Sequence, residues 1–139
     1  MKVLSIIPPL VQVNTPYPST TFITGFLRSR GITAEQRDLG LELVLRLFSP
    51  QGLARVRETV SALKQKSDRL EFFLESFDDY QKTIGPVIRF LQGKDPALAH
   101  RIAARTLLPE GPRFQPVDAE DLQWAFGSMG VQDQAKHLA

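Results

Sequence analysis

The five residues Val3-Leu4-Ser5-Ile6-Ile7, followed at once by Pro8-Pro9, constrain the fold of this chain more than any other stretch. A short β-branched, apolar run of this kind reads as a buried strand of a parallel sheet. The two prolines close it, because proline has no N–H to give to a ladder. A parallel partner cannot follow through a tight turn; it needs a crossover of about a dozen residues or more. The sequence supplies one. Leu10 to Pro18 contains Asn14, Pro16 and Pro18 and reads as a loop. Ser19 can cap a helix that carries Phe22, Ile23, Phe26 and Leu27 on one face, and Gly31 ends it as a C′ glycine. Ile32 to Asp38 then fits a second strand. Strand, loop, helix, strand is the opening of a βαβ unit with its two strands as parallel neighbours.

From residue 41 onward the apolar period becomes helical. Leu41, Val44, Leu45 and Phe48 share one face. Ser49-Pro50 places a cap before a proline at the first helical position, and Leu53, Val56, Val60 and Leu63 continue the stripe. A longer stripe runs from Leu70 through Phe73, Leu74, Phe77, Tyr80, Ile84, Val87 and Ile88 to Leu91, with a kink or break expected at Gly85-Pro86. Asp95-Pro96 starts a further helix with Leu98, Ile102 and Leu107 inward. Asp118 and Asp121 form a capping box before Leu122, Ala125 and Phe126, and residues 133–139 still look helical. The fold class is therefore α/β: a parallel pair in residues 1–40, then a mostly helical region over 41–139. Two strands are few for an open sheet, which usually has about four to six. We therefore expect the sequence to be part of a longer protein.

The 139 residues suffice for one core, and 42% apolar with 23% charged residues is ordinary globular composition. A net charge of only +2 does not imply a nucleic-acid surface, and no nucleic-acid partner is expected. With no cysteine, the chain offers no disulfide, thiolate metal site or Cys nucleophile. No apolar stretch approaches the roughly 18 residues of a membrane span, and the first apolar run is too short for a signal peptide. A cytoplasmic protein is the expectation.

Ligands of open α/β sheets sit at the carboxyl ends of the strands, with anions favoured by the helix N-terminus that follows. That places the segment from Pro8 to Thr21 in the ligand position. Asn14, Ser19, Thr20 and Thr21 supply hydrogen-bonding groups there, and Tyr17 a flat face. On physics alone a proline-stiffened connection with Ser19 as a mere cap stands slightly ahead. The glycine patterns of dinucleotide and P-loop sites are absent. His100 and His137 lie in helical contexts far from the strand ends. Glu71, Glu75, Asp78 and Asp79 read as a solvated acidic face, and Arg55, Arg57, Lys64, Lys66 and Arg69 as a solvated basic one. Trp124 to Gly130, with two glycines among large apolar groups, suggests close packing against further chain. No catalytic or metal-ligating set can be assembled.

The opening Lys2 to Pro9, then Thr15-Pro16-Tyr17-Pro18-Ser19-Thr20-Thr21 and the step Leu27-Arg28-Ser29-Arg30-Gly31, with Asp38-Leu39 closing the next strand, resembles the N-terminus of radical SAM proteins that carry a cobalamin-binding-type domain. Leu39-Gly40-Leu41-Glu42-Leu43 with Arg46-Leu47-Phe48-Ser49 is similar to one branch of that family. The likeness is clear over residues 1–50, weaker through the helices, and returns at Trp124 to Gly130. It implies that residues 1–40 begin a Rossmann-like, cobalamin-binding-like domain. It also implies that Pro9, Asn14, Tyr17, Ser19, Thr20 and Thr21 are the cofactor-binding residues, with cobalamin as ligand.

The radical SAM catalytic domain of the same parent chain would be the partner, with S-adenosylmethionine and a [4Fe-4S] cluster held there only. Two departures stand beside the likeness. The Cys-x-x-x-Cys-x-x-Cys cluster motif and the Asp-x-His-x-x-Gly motif of a lower axial histidine are both absent. Relatives of this type often bind cobalamin without that histidine. The resemblance thus implies a cobalamin-binding-like module, not catalytic by itself. The alternative is a stand-alone helical protein-interaction module without a cofactor. Both readings expect a helix-dominated far-UV circular dichroism spectrum; a strand-dominated one would overturn the element assignment.

Overall fold

β1 (Lys2–Ile7) and β2 (Thr33–Asp38) pair in parallel, from Lys2 opposite Thr33 to Ile7 opposite Asp38, in the computed structural model, which describes residues 1–11, 17–112, 114 and 116–139. The structure is mixed α/β and mostly helical. It divides into two units, Met1–Leu47 and Phe48–Ala139.

In the first unit, α1 (Pro18–Ser29) packs on both strands. The sequence reading put its cap at Ser19; the cap position belongs to Tyr17, and Ser19 lies within the first turn. Pro18 sets this boundary, because a missing N–H costs nothing at the first helical position. The inward stripe also differs from the expected one. Thr24 is buried, with Thr20 and Leu27 partly so, whereas Phe22, Ile23 and Phe26 are exposed. Positions 20, 24 and 27 still obey helical spacing; the stripe that meets the strands carries smaller residues, which lets helix and sheet approach closely. The Thr24 hydroxyl has no hydrogen-bond partner among the described residues. Gly31, at φ +74°, ends the helix: its N–H donates to Arg28 O and that of Ile32 to Leu27 O.

The pleat gives the sheet two unlike faces. Ile7 and Ala34 are buried, while Leu4, Ile6, Glu35 and Arg37 are exposed on the opposite face. Lys2 and Glu35 form an ion pair there at 2.9 Å. The Lys2 ammonium holds the Glu35 carboxyl below its ordinary value. From β2 the chain enters α2 (Leu39–Leu47) directly, where Asp38 Oδ1 accepts the Leu41 N–H at 2.8 Å.

The second unit begins with α3 (Pro50–Ser61), capped as its Ser49-Pro50 step predicts: Ser49 Oγ accepts the Gly52 N–H at 3.0 Å. The long stripe from Leu70 to Leu91 is two helices, α4 (Asp68–Glu75) and α5 (Phe77–Leu91). The break falls at Ser76 and not at Gly85-Pro86, through which α5 continues. Pro86 is exposed, so the donor it lacks and the curvature it imposes fall on the solvent side. Across the Ser76 junction the rings of Phe73 and Phe77 meet edge to face at 6.0 Å.

Asp95-Pro96 opens only a 3-10 turn (Pro96–Leu98) and a short helix, α6 (Ala99–Ala103). Leu107, expected on that helix, lies beyond its end. The Asp118 capping box forms as expected and starts α7 (Ala119–Phe126), and α8 (Val131–Leu138) packs on α6. Phe90, Leu98, Ala99, Ile102 and Ala135 make the core of this unit. Trp124, expected to pack against further chain, is 91% exposed among the described residues.

Burial therefore separates two aromatic residues that composition treats alike. Phe90→Ala should lower stability by about 3–5 kcal/mol, the cost of a lost core ring and its cavity. Trp124→Ala should stay within about 0.5 kcal/mol. Urea denaturation followed by circular dichroism measures both.

Candidate functional site

Two places bring chemistry-bearing side chains together, one in each unit. The first is the carboxyl edge of the strand pair. Because Ile7 stands opposite Asp38, the segment leaving β1 and the entry to α2 begin at one level. Gly40 is buried there. A Cβ on it would come within 3.2 Å of Asp38 Oδ1, a tight contact with a side chain, and would meet Val11 at 3.4 Å and the Pro8 carbonyl at 3.5 Å in ordinary van der Waals contact. Leu10 takes φ +65°, a left-handed conformation that disfavours residues other than glycine.

Of the residues the sequence placed at this edge, Pro9 is exposed in the turn after β1, and Asn14 lies outside the described residues. Tyr17, Ser19 and Thr21 are exposed around the first turn of α1. Thr20 donates from its hydroxyl to the Tyr17 carbonyl at 3.2 Å. The donor set is thus hydroxyl groups around a helix N-terminus. That chemistry suits amide and phosphate oxygens.

The second place is an apolar groove of about 550 Å³ within residues 48–139. Phe72 and Phe73 from α4, Tyr80, Ile84 and Val87 from α5, Ile102 from α6, and the segment from Arg105 to Pro112 line it. Its volume falls in the range of ligand sites, and its polar groups are few. Tyr80 packs its ring on Phe73 at 5.8 Å, and burial pushes its hydroxyl above the ordinary tyrosine value. It is therefore a neutral hydrogen-bond donor throughout the physiological range. Arg69 is exposed and also lines the groove.

Arg105 fixes one wall. Its backbone takes φ +57°, closing α6 with a geometry usually given to glycine. Its guanidinium makes a two-pronged pair with Glu110 and donates to the carbonyls of Val117 at 2.6 Å and Phe114 at 3.2 Å. These bonds fasten the chain beyond α6 in one arrangement. The Arg105 guanidinium holds the Glu110 carboxyl below its ordinary value.

Other expectations sort out simply. His100 is exposed on α6, and the His137 ring stacks on Phe126 at 5.6 Å. Glu71, Glu75, Asp78 and Asp79 are exposed, Asp79 pairing with Lys82 at 3.1 Å. Arg57, read as solvated, instead lies over the Phe77 ring at 4.4 Å, a cation–π contact that covers a buried aromatic. Among the described residues no group of acidic and histidine side chains could hold a metal ion, and no helix is long and apolar enough to cross a membrane. No family model, curated protein or solved structure matches the chain.

The Glu110 carboxylate has a defined signature. A carboxyl whose folded value is depressed contributes stability above its unfolded value and loses it as the pH falls through the folded one. The wild-type protein should therefore lose stability on acidification through and below the ordinary glutamate range. Glu110→Gln should flatten that acid limb while lowering stability at neutral pH. Thermal melts across an acidic pH series read the difference; parallel curves for the two proteins would count against the clamp.

Proposed function

We propose that residues 1–40 are the opening of a cobalamin-binding-type, Rossmann-like layer in a radical SAM protein, a module that is not catalytic by itself. In this reading the chemistry belongs to a radical SAM catalytic domain of the same parent chain, which holds the S-adenosylmethionine and the [4Fe-4S] cluster. The observation that carries it is the parallel β1–α1–β2 unit with its loop leaving the carboxyl edge of β1. Two further features support it. The Pro8–Val11 segment lies against the buried Gly40 at the start of α2. The sheet also presents Leu4 and Ile6 on an exposed face, where parallel sheets normally carry covering elements on both sides.

Tyr17, Ser19, Thr20 and Thr21 would contact cobalamin through hydroxyl groups and one ring, and Pro9 and Asn14 belong to the same segment. The competing reading, a helical interaction module without a cofactor, makes no use of this edge.

Absorbance titration with hydroxocobalamin separates the two. The 139-residue chain should bind it weakly or not at all, since the edge supplies one side of a pocket. The parent protein, whose coding sequence should continue into Cys-x-x-x-Cys-x-x-Cys, should bind it. Asn14→Ala and Tyr17→Ala in the parent should each weaken binding severalfold, about the net worth of one hydrogen bond or ring contact. A parent protein that ignores cobalamin, or binds it unchanged by both substitutions, would overturn the assignment.

A further inference from the structure

The groove within residues 48–139 is electrically balanced and walled by rings, and both properties bear on what fits it. Arg105 and Glu110 neutralise one another in their two-pronged pair. Arg69 also lines the groove, and so does Ala139, whose terminal carboxylate in the 139-residue chain offsets that guanidinium. The described lining residues therefore hold no net charge. An ion entering such a space sheds its hydration and meets no counter-charge held in reserve, whereas a neutral apolar molecule has little hydration to lose.

The rings are ordered before anything binds. Phe73 meets Phe77 edge to face at 6.0 Å and packs against Tyr80 at 5.8 Å, so two neighbours set its plane. Phe48, Phe72 and Phe114 add three further rings to the lining. The segment after α6 is ordered as well. Arg105 keeps a left-handed backbone, of the kind that concentrates at ligand clamps, and its guanidinium holds the carbonyls of Phe114 and Val117. Leu108 and Pro109 of that segment line the groove. Walls fixed beforehand spare a ligand the cost of ordering them. Aromatic walls also favour an aromatic ligand over a saturated one of the same size, through edge and face contacts beyond burial alone.

We propose that this groove is a binding site for a small neutral aromatic molecule, buried against the rings of Phe72, Phe73 and Tyr80 and against Ile84. Its volume of about 550 Å³ accommodates two linked rings. The site lies wholly within residues 48–139 and does not depend on the cobalamin reading of residues 1–40.

Isothermal titration calorimetry on the 139-residue chain at neutral pH tests it with probes of one size: biphenylol, biphenylcarboxylate, biphenylmethylammonium and cyclohexylcyclohexanol. Biphenylol should bind saturably, and both ions at least about tenfold more weakly, since each would bury a charge without a partner. The saturated alcohol should bind severalfold more weakly than biphenylol, about the worth of the lost ring contacts. Ile84→Trp, which fills the groove, should abolish biphenylol binding while the circular dichroism spectrum is kept. Phe72→Leu removes one ring and keeps an apolar side chain. It should weaken biphenylol severalfold and leave cyclohexylcyclohexanol within about twofold, and it decides the matter where Ile84→Trp does not fold. No saturable biphenylol binding, either ion binding as tightly as biphenylol, equal binding of the two alcohols, or a folded variant that binds biphenylol as the wild type does would each overturn the proposal.

Discussion

Parallel pairing of β1 with β2 is the constraint from which the first unit follows. Two antiparallel strands could have been joined by a hairpin; two parallel ones demand a crossover that returns the chain to the starting end of the sheet. The register from Lys2–Thr33 to Ile7–Asp38 brings both carboxyl ends level. The Pro8–Val11 segment and the Asp38–Gly40 entry to α2 therefore converge, with Gly40 buried where they meet. The same pairing creates an obligation. α1 packs against one face of the pair, while Leu4 and Ile6 stay exposed on the other beside Lys2, Glu35 and Arg37. The chemistry-bearing edge and the bare face have one cause.

In the second unit a single arginine has a comparable role, through bonds that a glycine could not make. A left-handed backbone is disfavoured for a residue with a Cβ, so glycine at position 105 would relieve strain. The guanidinium, however, makes charge-assisted bonds to Glu110 and donates to two carbonyls that lie beyond α6. α6 can thus be only five residues long and still end in a defined place, with the next segment fixed along the groove.

Local rules are legible in the sequence of both units. Strand-closing prolines, the Gly31 C′ position, the Ser49-Pro50 cap and the Asp118–Asp121 box are decided within a few residues, and each is found where those residues place it. The misses have non-local causes. Phe22, Ile23 and Phe26 look like a core stripe, but the helix turns Thr24 inward instead, because its rotation is set by the strands it meets. Ser19 lost the cap to Tyr17 through its neighbour Pro18. The break at Ser76 and the passage through Pro86 depend on which side of α5 faces solvent, which helical spacing does not reveal. The groove was illegible for a related reason. Phe72, Phe73 and Tyr80 carry the spacing of a core, and nothing local distinguishes a ring that meets another helix from one that lines a cavity. Arg105 gave no signal at all, since a left-handed arginine differs from a helical one only through partners that lie 5–12 residues downstream.

Exposure decides what each site can do with the groups it has. At the strand edge Tyr17, Ser19 and Thr21 stand in water, where a hydrogen bond to a ligand replaces one to solvent and is worth about 0.5–1.5 kcal/mol net. A ligand as large as a corrin, touched from one side, gains too little from such exchanges to offset its lost freedom, which is at least about 4 kcal/mol. The edge therefore acts only with other walls around it, whatever its donors are. The groove is the reverse case. Its lining is mostly rings and aliphatic side chains, so what it offers an occupant is burial of apolar surface.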